Sequence, residues 1–217
     1  SVFNSVVYYS LNYTQVLNGV LMISTIPVFI IFFSGLFKTE SIKIYQIIGV
    51  VISLMGVISI ITKLDLSLLL SLKLNKGDLW MLVAMISWTT YSLLLGKKKV
   101  KLEPFIFLQT IIIIGLLFLL PMYIAEVLVG KKITINFPVI MTIGYVVFFA
   151  GIGAYTFWNA AIKLIGPSRS GVFLHLMPIF SSLMAVFLLG EQFSFHHIVG
   201  TLLIISGILL SSKKQTI

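Results

Sequence analysis

The sequence predicts an all-α integral membrane protein, a multi-spanning helix bundle, and three observations predict it. Of the 217 residues, 59% are hydrophobic and only 10% are charged, and the mean hydropathy is +1.14. Soluble domains carry about 25% charged residues, and a water-soluble chain of this length still exposes much of its surface. Apolar content this high requires lipid as the outer solvent. Second, the apolar residues fall in runs of roughly 20, the length that crosses a bilayer core. Third, the charges lie between the runs.

The elements follow in order. Residues 1–11, SVFNSVVYYSL, read as a partial helix. Full runs lie at roughly 16–37, 44–62, 78–95, 104–125, 137–162, 168–189 and 194–212, for about eight crossings in all. Backbone groups in lipid must be bonded within their own segment, so these runs are expected as helices. The alternating pattern of a membrane barrel is absent. Asn12 to Gln15 form the first connection, and Lys38, Glu40 and Lys43 mark the second. The third, about 63–77, contains LSLLLSL, too short to span and expected to lie along the interface. Asp78 after Gly77 is read as the N-cap of the next helix. The remaining connections hold GKKKVKLEP (96–104), GKK (130–132), IGPSR (165–169) and the step Gly190, Glu191, with Lys213 and Lys214 in the tail.

Alternation assigns the loops to sides. Lys38, Lys43, Lys97, Lys98, Lys99, Lys101, Lys163, Arg169, Lys213 and Lys214 share one side, against Lys63, Lys73, Lys76, Lys131 and Lys132 on the other. The positive-inside rule makes the first side cytoplasmic, with the C-terminus, in a plasma or bacterial inner membrane. The same bias accounts for the net charge of +9. No basic stripe interleaves with surface aromatics, so nucleic acid is not an expected partner. The absence of cysteine excludes a disulfide framework, a thiolate metal site and a cysteine nucleophile. The apolar start carries no basic segment and does not read as a signal peptide.

The chain also aligns with itself at an offset of 151. Pro27 meets Pro178, Phe29 meets Phe180, and Glu40 meets Glu191; Ile47 meets Ile198, Gly49 meets Gly200, and Gly56 meets Gly207. Five crossings separate each residue from its copy, and an odd number inverts the second copy. Inverted repeats of this kind let secondary transporters alternate access between two sides. The repeat places residues 1–62 in a first unit, 63–77 in an inter-repeat loop, 78–212 in a second unit and 213–217 in a cytoplasmic tail. Helices 78–95 and 104–125 have no earlier counterparts. The expectation is therefore a ten-crossing whole, with residues 1–11 ending a longer helix and about two and a half helices preceding Ser1.

The stretch LIGPSRSGVFLHLMPIFSSLMAVFLLGEQFSFHHIVGTLLIISGILLS (164–212) resembles the EamA family of the drug/metabolite transporter superfamily. It has a helix with a late proline, an LGE step and a G-x6-G helix. GDLWMLVAMISWTTYSLLLGKKK (77–99) is similar to the first helix of the family's second repeat, and residues 9–61 repeat the signature more weakly, with KTE in place of LGE. The resemblance implies two inverted five-helix repeats around a central cavity, and a permease or exporter of small organic metabolites. It names no substrate, direction or coupling ion.

His175 is the foremost candidate pathway residue. An ionisable group in mid-membrane is costly and is expected to face the bundle interior or water, where an imidazole can relay protons or bond a substrate. Its repeat partner is Ser24. Pro27 and Pro178 are expected to kink their helices and free carbonyls about one turn upstream, at Ser24 and Leu174, to line a cavity. Gly49, Ser53 and Gly56, like Gly200 and Gly207, are expected to let helices pack closely, and Ala150, Gly151, Gly153 and Ala154 read likewise. Trp88, Thr89, Thr90 and Tyr91 form one polar-aromatic patch, Tyr155, Thr156, Trp158 and Asn159 another, and Gln109 with Thr110 a third. Pockets combine aromatic walls with a few polar groups. Trp88 and Gln109 lead this set, with Tyr91, Ser24 and Asn159 completing the expected pathway.

Glu40 and Glu191 sit at helix ends and read as turn residues. His196 and His197 are adjacent, so their rings are expected to diverge rather than share a metal. No cofactor or metal is expected. A membrane-embedded enzyme would need paired carboxylates, an activated nucleophile or a metal cluster; the six acidic residues all lie near loops, with no H-E-x-x-H or G-x-S-x-G. A non-transporting assembly or receptor protein would not need an inverted repeat. The partners expected are the bilayer and a small-molecule substrate, and homodimer formation is left open.

Overall fold

A computed structural model describes residues 2–97, 103–130, 134–190 and 192–213. Lys98, Lys99, Lys101, Lys131, Lys132, Glu191 and Lys214 lie outside the described residues. Within them every regular element is helical. In order these are α1 (Val2–Ser10), α2 (Val16–Ile23), α3 (Ile26–Leu36), α4 (Ile44–Ile61), α5 (Ser67–Leu70), α6 (Lys76–Lys97) and α7 (Pro104–Leu128). Then come α8 (Phe137–Tyr145), a π-helical stretch Val146–Gly153, α9 (Ala154–Ile165), α10 (Pro167–Val172), a 3-10 turn Phe173–Leu176, α11 (Met177–Leu189) and α12 (Phe195–Ser211).

Six continuous stretches are long and apolar enough to cross a bilayer: Val16–Leu36, Ile44–Ile61, Lys76–Lys97, Ile106–Leu128, Phe137–Ile165 and Pro167–Leu189; Phe195–Ser211 is a shorter apolar helix. The protein is thus an all-α, multi-pass membrane protein. Ile106–Leu128 and Phe137–Ile165 bury nothing of their most apolar windows. Phe118, Phe148 and Phe149 point outward from them. Lipid solvates such side chains, so burial contributes little to holding membrane helices together, and close packing and internal hydrogen bonds matter more.

That close packing is strongest where α4 crosses α12. A Cβ built on Gly49 would lie 2.5 Å from the Gly207 carbonyl oxygen, and one on Gly207 would lie 2.4 Å from that of Gly49. Gly56 and Gly200 face each other the same way, at 2.6 and 2.7 Å. The pairing runs in reverse order, so the helices are antiparallel and their backbones touch. Ile31, Val50, Val57, Val172 and Ile204 close this core around α3, α4, α10 and α12. A second cluster, Ile26, Ile30, Met81, Met85 and Leu93, ties α3 to α6. Gly77 provides a third close approach, of α6 to Ser10 and Thr14.

Two sequence expectations need correction here. Asp78 is not the N-cap of α6. Asn75 takes that place: its Oδ1 accepts from the Asp78 amide at 3.1 Å, while the Asn75 amide donates to Asp78 Oδ2 at 2.8 Å. Asp78 closes this reciprocal box and also accepts a hydrogen bond from the Thr14 hydroxyl. Second, Gly151 and Gly153 make no close approach to a neighbouring helix. Cβ atoms built on Gly151 and Gly153 would meet carbonyls of their own helix, Val146 and Phe148, at 3.2 Å. The small residues there accompany a π-helical stretch, whose i→i+5 pattern crowds the backbone.

Candidate transport pathway

The spans that carry Pro27 and Pro178 are both discontinuous. Pro27 and Pro178 each stand at the start of a new helical segment, α3 and α11, where a missing N–H leaves nothing unsatisfied. The first span breaks at Ser24 and Thr25, and the second passes through the 3-10 turn that holds His175. The two breaks meet. His175 is fully buried. Its Nε2 lies 2.8 Å from the Ser24 carbonyl oxygen and its Nδ1 lies 2.6 Å from Ser53 Oγ. A carbonyl can only accept, so Nε2 carries a proton. Nδ1 then accepts a hydrogen bond from the Ser53 hydroxyl when the ring is neutral. Ser53 Oγ also stands 3.0 Å from the Val50 carbonyl, so this hydroxyl can turn there and accept from Nδ1 when the ring is charged.

The carbonyls expected to line a cavity are therefore occupied. That of Ser24 is held by His175, and that of Leu174 accepts the Met177 amide. The residues themselves do line a cavity. Around the breaks the two spans are arranged unequally. At one end α3 and α10 are clamped together. A Cβ on Gly171 would lie 3.1 Å from Ile30 and 3.6 Å from Pro27. Ser168 Oγ is 3.1 Å from Ser34 Oγ. Glu40 Oε2 accepts the Ser168 amide at 3.0 Å and the Ser34 hydroxyl at 3.5 Å. Glu40 is thus more than a turn residue: from the α3–α4 connection it caps α10, and its carboxylate sits where a side chain on Gly166 would have to go.

At the other end α2 and α11 part around a cavity of about 330 Å³. Val20, Ile23 and Ser24 line it from α2, Ile60, Ile61 and Lys63 from the end of α4, Met177 to Ala185 from α11, and His196 and His197 from α12. The sequence reading passed over Lys63 and this histidine pair as a site. The two imidazole centroids are 4.0 Å apart, so the rings do not diverge. His197 Nδ1 accepts the Ser194 amide, while His196 Nε2 is buried without a partner. No metal-holding group of three ligands occurs among the described residues.

The aromatic candidates gather elsewhere. Trp88 is the hub of a cluster on α1, α6 and α9, with ring centroids 4.8 Å from Phe3, 5.4 Å from Tyr155 and 5.3 Å from Trp158. Tyr91 donates to Asn159 Oδ1 at 2.6 Å, and Trp158 donates to Ser92 at 3.3 Å. Trp88 Nε1, Thr89 Oγ1, Thr156 Oγ1 and Asn159 Nδ2 are buried without partners. Asn159 is fully buried. Gln109 does not join this cluster; it stands exposed on α7 with Thr110. An apolar hollow of about 530 Å³ between α7 and the π-helical stretch opens beside Tyr155 and Asn4.

Comparison with known proteins agrees with this architecture. The sequence model of the EamA-like transporter family matches residues 1–62 and 75–213. An uncharacterized transporter of Bacillus subtilis (strain 168), YyaM, is 25% identical over 214 residues, covering 97% of this chain and 68% of the relative. An uncharacterized transporter of Archaeoglobus fulgidus is 27% identical over 208 residues, covering 96% and 71%. A crystal structure superposes with a TM-score of 0.78 at 15% identity over 97% of this chain and 71% of that one; this likeness shows the fold. The chain spans roughly two thirds to seven tenths of the length of these relatives.

Proposed function

Because the chain belongs to the EamA-like transporter family, we propose that it is a secondary transporter that moves small organic metabolites by alternating access between two inverted repeats. The observation that carries this reading is the unequal pair of broken spans, clamped at the Glu40 end and parted at the Lys63 end.

The contacts support an inverted pair. Gly49–Gly207 and Gly56–Gly200 exchange under the 151-residue offset, so a two-fold axis in the membrane plane maps the α4–α12 crossing onto itself. His175 and Ser24 are each other's counterparts under the same offset. The offset carries α3 onto α11 and α10 onto α2. The clamped pair α3–α10 is therefore the image of the parted pair α11–α2. Exchanging these two arrangements between the equivalent halves moves the opening from one side to the other. Glu40 latches the present state. Glu191, its counterpart, is expected to cap α2 in the other. By the positive-inside rule, the closed end is read as the cytoplasmic one.

The chain contains no cysteine, so single introduced thiols report access directly. In sealed vesicles Ser182→Cys, at the open cavity, is expected to react with a membrane-impermeant maleimide from one side only, and Ser34→Cys to be protected. Glu40→Ala is expected to raise the reactivity of Ser34→Cys from the opposite side and lower that of Ser182→Cys. Reactivities that ignore Glu40, or solutes that emerge chemically changed, defeat the proposal.

A further inference from the structure

We infer that the open cavity binds an organic anion, a small solute with an apolar body and one carboxylate-type headgroup. This rests on the alternating-access reading above and names the class of solute.

The polar lining of the cavity has one sign. Lys63 at the end of α4 and His196 and His197 in the first turn of α12 converge on its mouth, and no acidic residue lines it among the described residues. Asp65, the acid nearest to Lys63 in sequence, is engaged at Oδ1 by the amide and hydroxyl of Ser67. Asp78, at the same end of the bundle, accepts from Thr14 and Asn75. His197 Nδ1 is used by the Ser194 amide, so its proton sits on Nε2 and that nitrogen can only donate. His196, also in the lining, has an Nε2 without a hydrogen-bond partner, and buried polar atoms are normally partnered. The α12 N-terminus adds the positive end of a 17-residue helix dipole.

The rest of the lining is largely apolar, Ile23, Ile60 and Met177 among it, with the hydroxyls of Ser181 and Ser182 as further polar groups. A cation would face the Lys63 ammonium and the donating His197 Nε2, and a neutral solute would leave the Lys63 charge uncompensated. An anionic head at the mouth with an apolar body against α2 and α11 satisfies both halves. An anionic lipid headgroup offers the same head chemistry, so the test separates the two sources. Glu191, five residues before His196, lies outside the described residues and is tested directly.

In the intact protein reconstituted in phosphatidylcholine vesicles, Ser182→Cys is the reporter. Phenylacetate is expected to slow its reaction with maleimide, and 2-phenylethylamine is not. Lys63→Gln and His196→Gln are each expected to raise the phenylacetate concentration needed by about tenfold, the size of one lost charge-assisted hydrogen bond. The unliganded labelling rate of each variant shows that the cavity is intact. Glu191→Gln is expected to preserve the preference for the anion. Protection by phosphatidylglycerol in the vesicles, without solute, assigns the same anion site to a lipid headgroup. Equal or better protection by the amine, or indifference to Lys63→Gln and His196→Gln, overturns the inference. So does a preference that appears only in Glu191→Gln. If Ser182→Cys is unreactive from both sides, or unmoved by Glu40→Ala, it is the alternating-access reading that fails.

Discussion

His175 Nε2 lies 2.8 Å from the carbonyl oxygen of Ser24, and the two residues are 151 positions apart, the interval at which the chain aligns with itself. The buried imidazole thus ties the break in one span to the break in the other. Ser53 holds its second nitrogen at 2.6 Å. Removing the Ser53 hydroxyl leaves a buried nitrogen without its donor, at a cost of about 1–3 kcal/mol. His175→Leu removes the ring from both partners and is expected to cost at least as much, because the Ser24 carbonyl is then orphaned. The double variant is expected to be less destabilised than the sum by about 1 kcal/mol, as for groups in direct contact. Unfolding of the four proteins in detergent measures the cycle, and strict additivity would show that the bond is not formed.

The α4–α12 crossing predicts a sharp difference between glycines. Gly207→Ala places a methyl 2.4 Å from the Gly49 carbonyl oxygen, and both backbones would have to separate. Overpacking of this kind costs about 1–3 kcal/mol. Gly144→Ala, on α8, meets nothing within 4 Å and is expected to be neutral or slightly stabilising, since alanine favours helix over glycine by about 1 kcal/mol. Thermal unfolding of the two variants checks the contrast.

Two glycines with left-handed backbone separate strain from collision. Gly190 has φ +70° with open space around it, whereas Gly166 has φ +84° and faces the Glu40 carboxylate. Gly190→Ala is expected to lose about 1–2 kcal/mol, the cost of left-handed backbone for a residue with a Cβ. Gly166→Ala must also displace Glu40 from the α10 N-terminus. Of the two, it alone is expected to reproduce the labelling pattern of Glu40→Ala, with Ser34→Cys exposed. Equal behaviour of the two variants would remove Glu40 from the latch.

Much of the fold was legible in the sequence because lipid imposes simple rules. Run length gave the spans, and Pro27 and Pro178, expected as kinks, stand where the helix restarts, whereas Pro121 lies within the unbroken α7. The glycines at 49, 56, 200 and 207 were legible as packing residues for a similar reason. The site was harder to read. Trp88, Tyr91 and Asn159 do come together, but Gln109, chosen for the same polar character, faces outward, because hydropathy does not say which side of a helix is covered. Lys63 and His196 were invisible as a cavity mouth, since residues 133 apart in sequence meet only once α4 and α12 cross. Glu40 looked like a turn residue because its partner, the Ser168 amide, is a backbone group with no sequence signature.

The buried carboxylate of Asp78 provides the last test. It is only 3% exposed and is surrounded by neutral donors. Thr14 donates to Oδ1, the Asn75 amide donates to Oδ2 at 2.8 Å, and Asn18 Nδ2 stands 3.5 Å from the same oxygen. Three segments, the α1–α2 connection, the start of α2 and the start of α6, therefore share one acceptor. Asp78→Ala strands all these donors and is expected to cost about 2–3 kcal/mol, in the range for a hydrogen bond to a charged group. Asp78→Asn keeps one acceptor oxygen but turns an NH2 toward donors, so it should cost less than alanine; Thr14→Val removes one donor to the carboxylate together with the oxygen that Asn75 Nδ2 donates to at 3.2 Å, and should also cost less than alanine. Chemical unfolding of the three variants in detergent gives the order. If Thr14→Val equals Asp78→Ala, the carboxylate serves only Thr14. If Asp78→Asn is neutral, its charge adds nothing, and the box formed with Asn75 is an ordinary neutral cap.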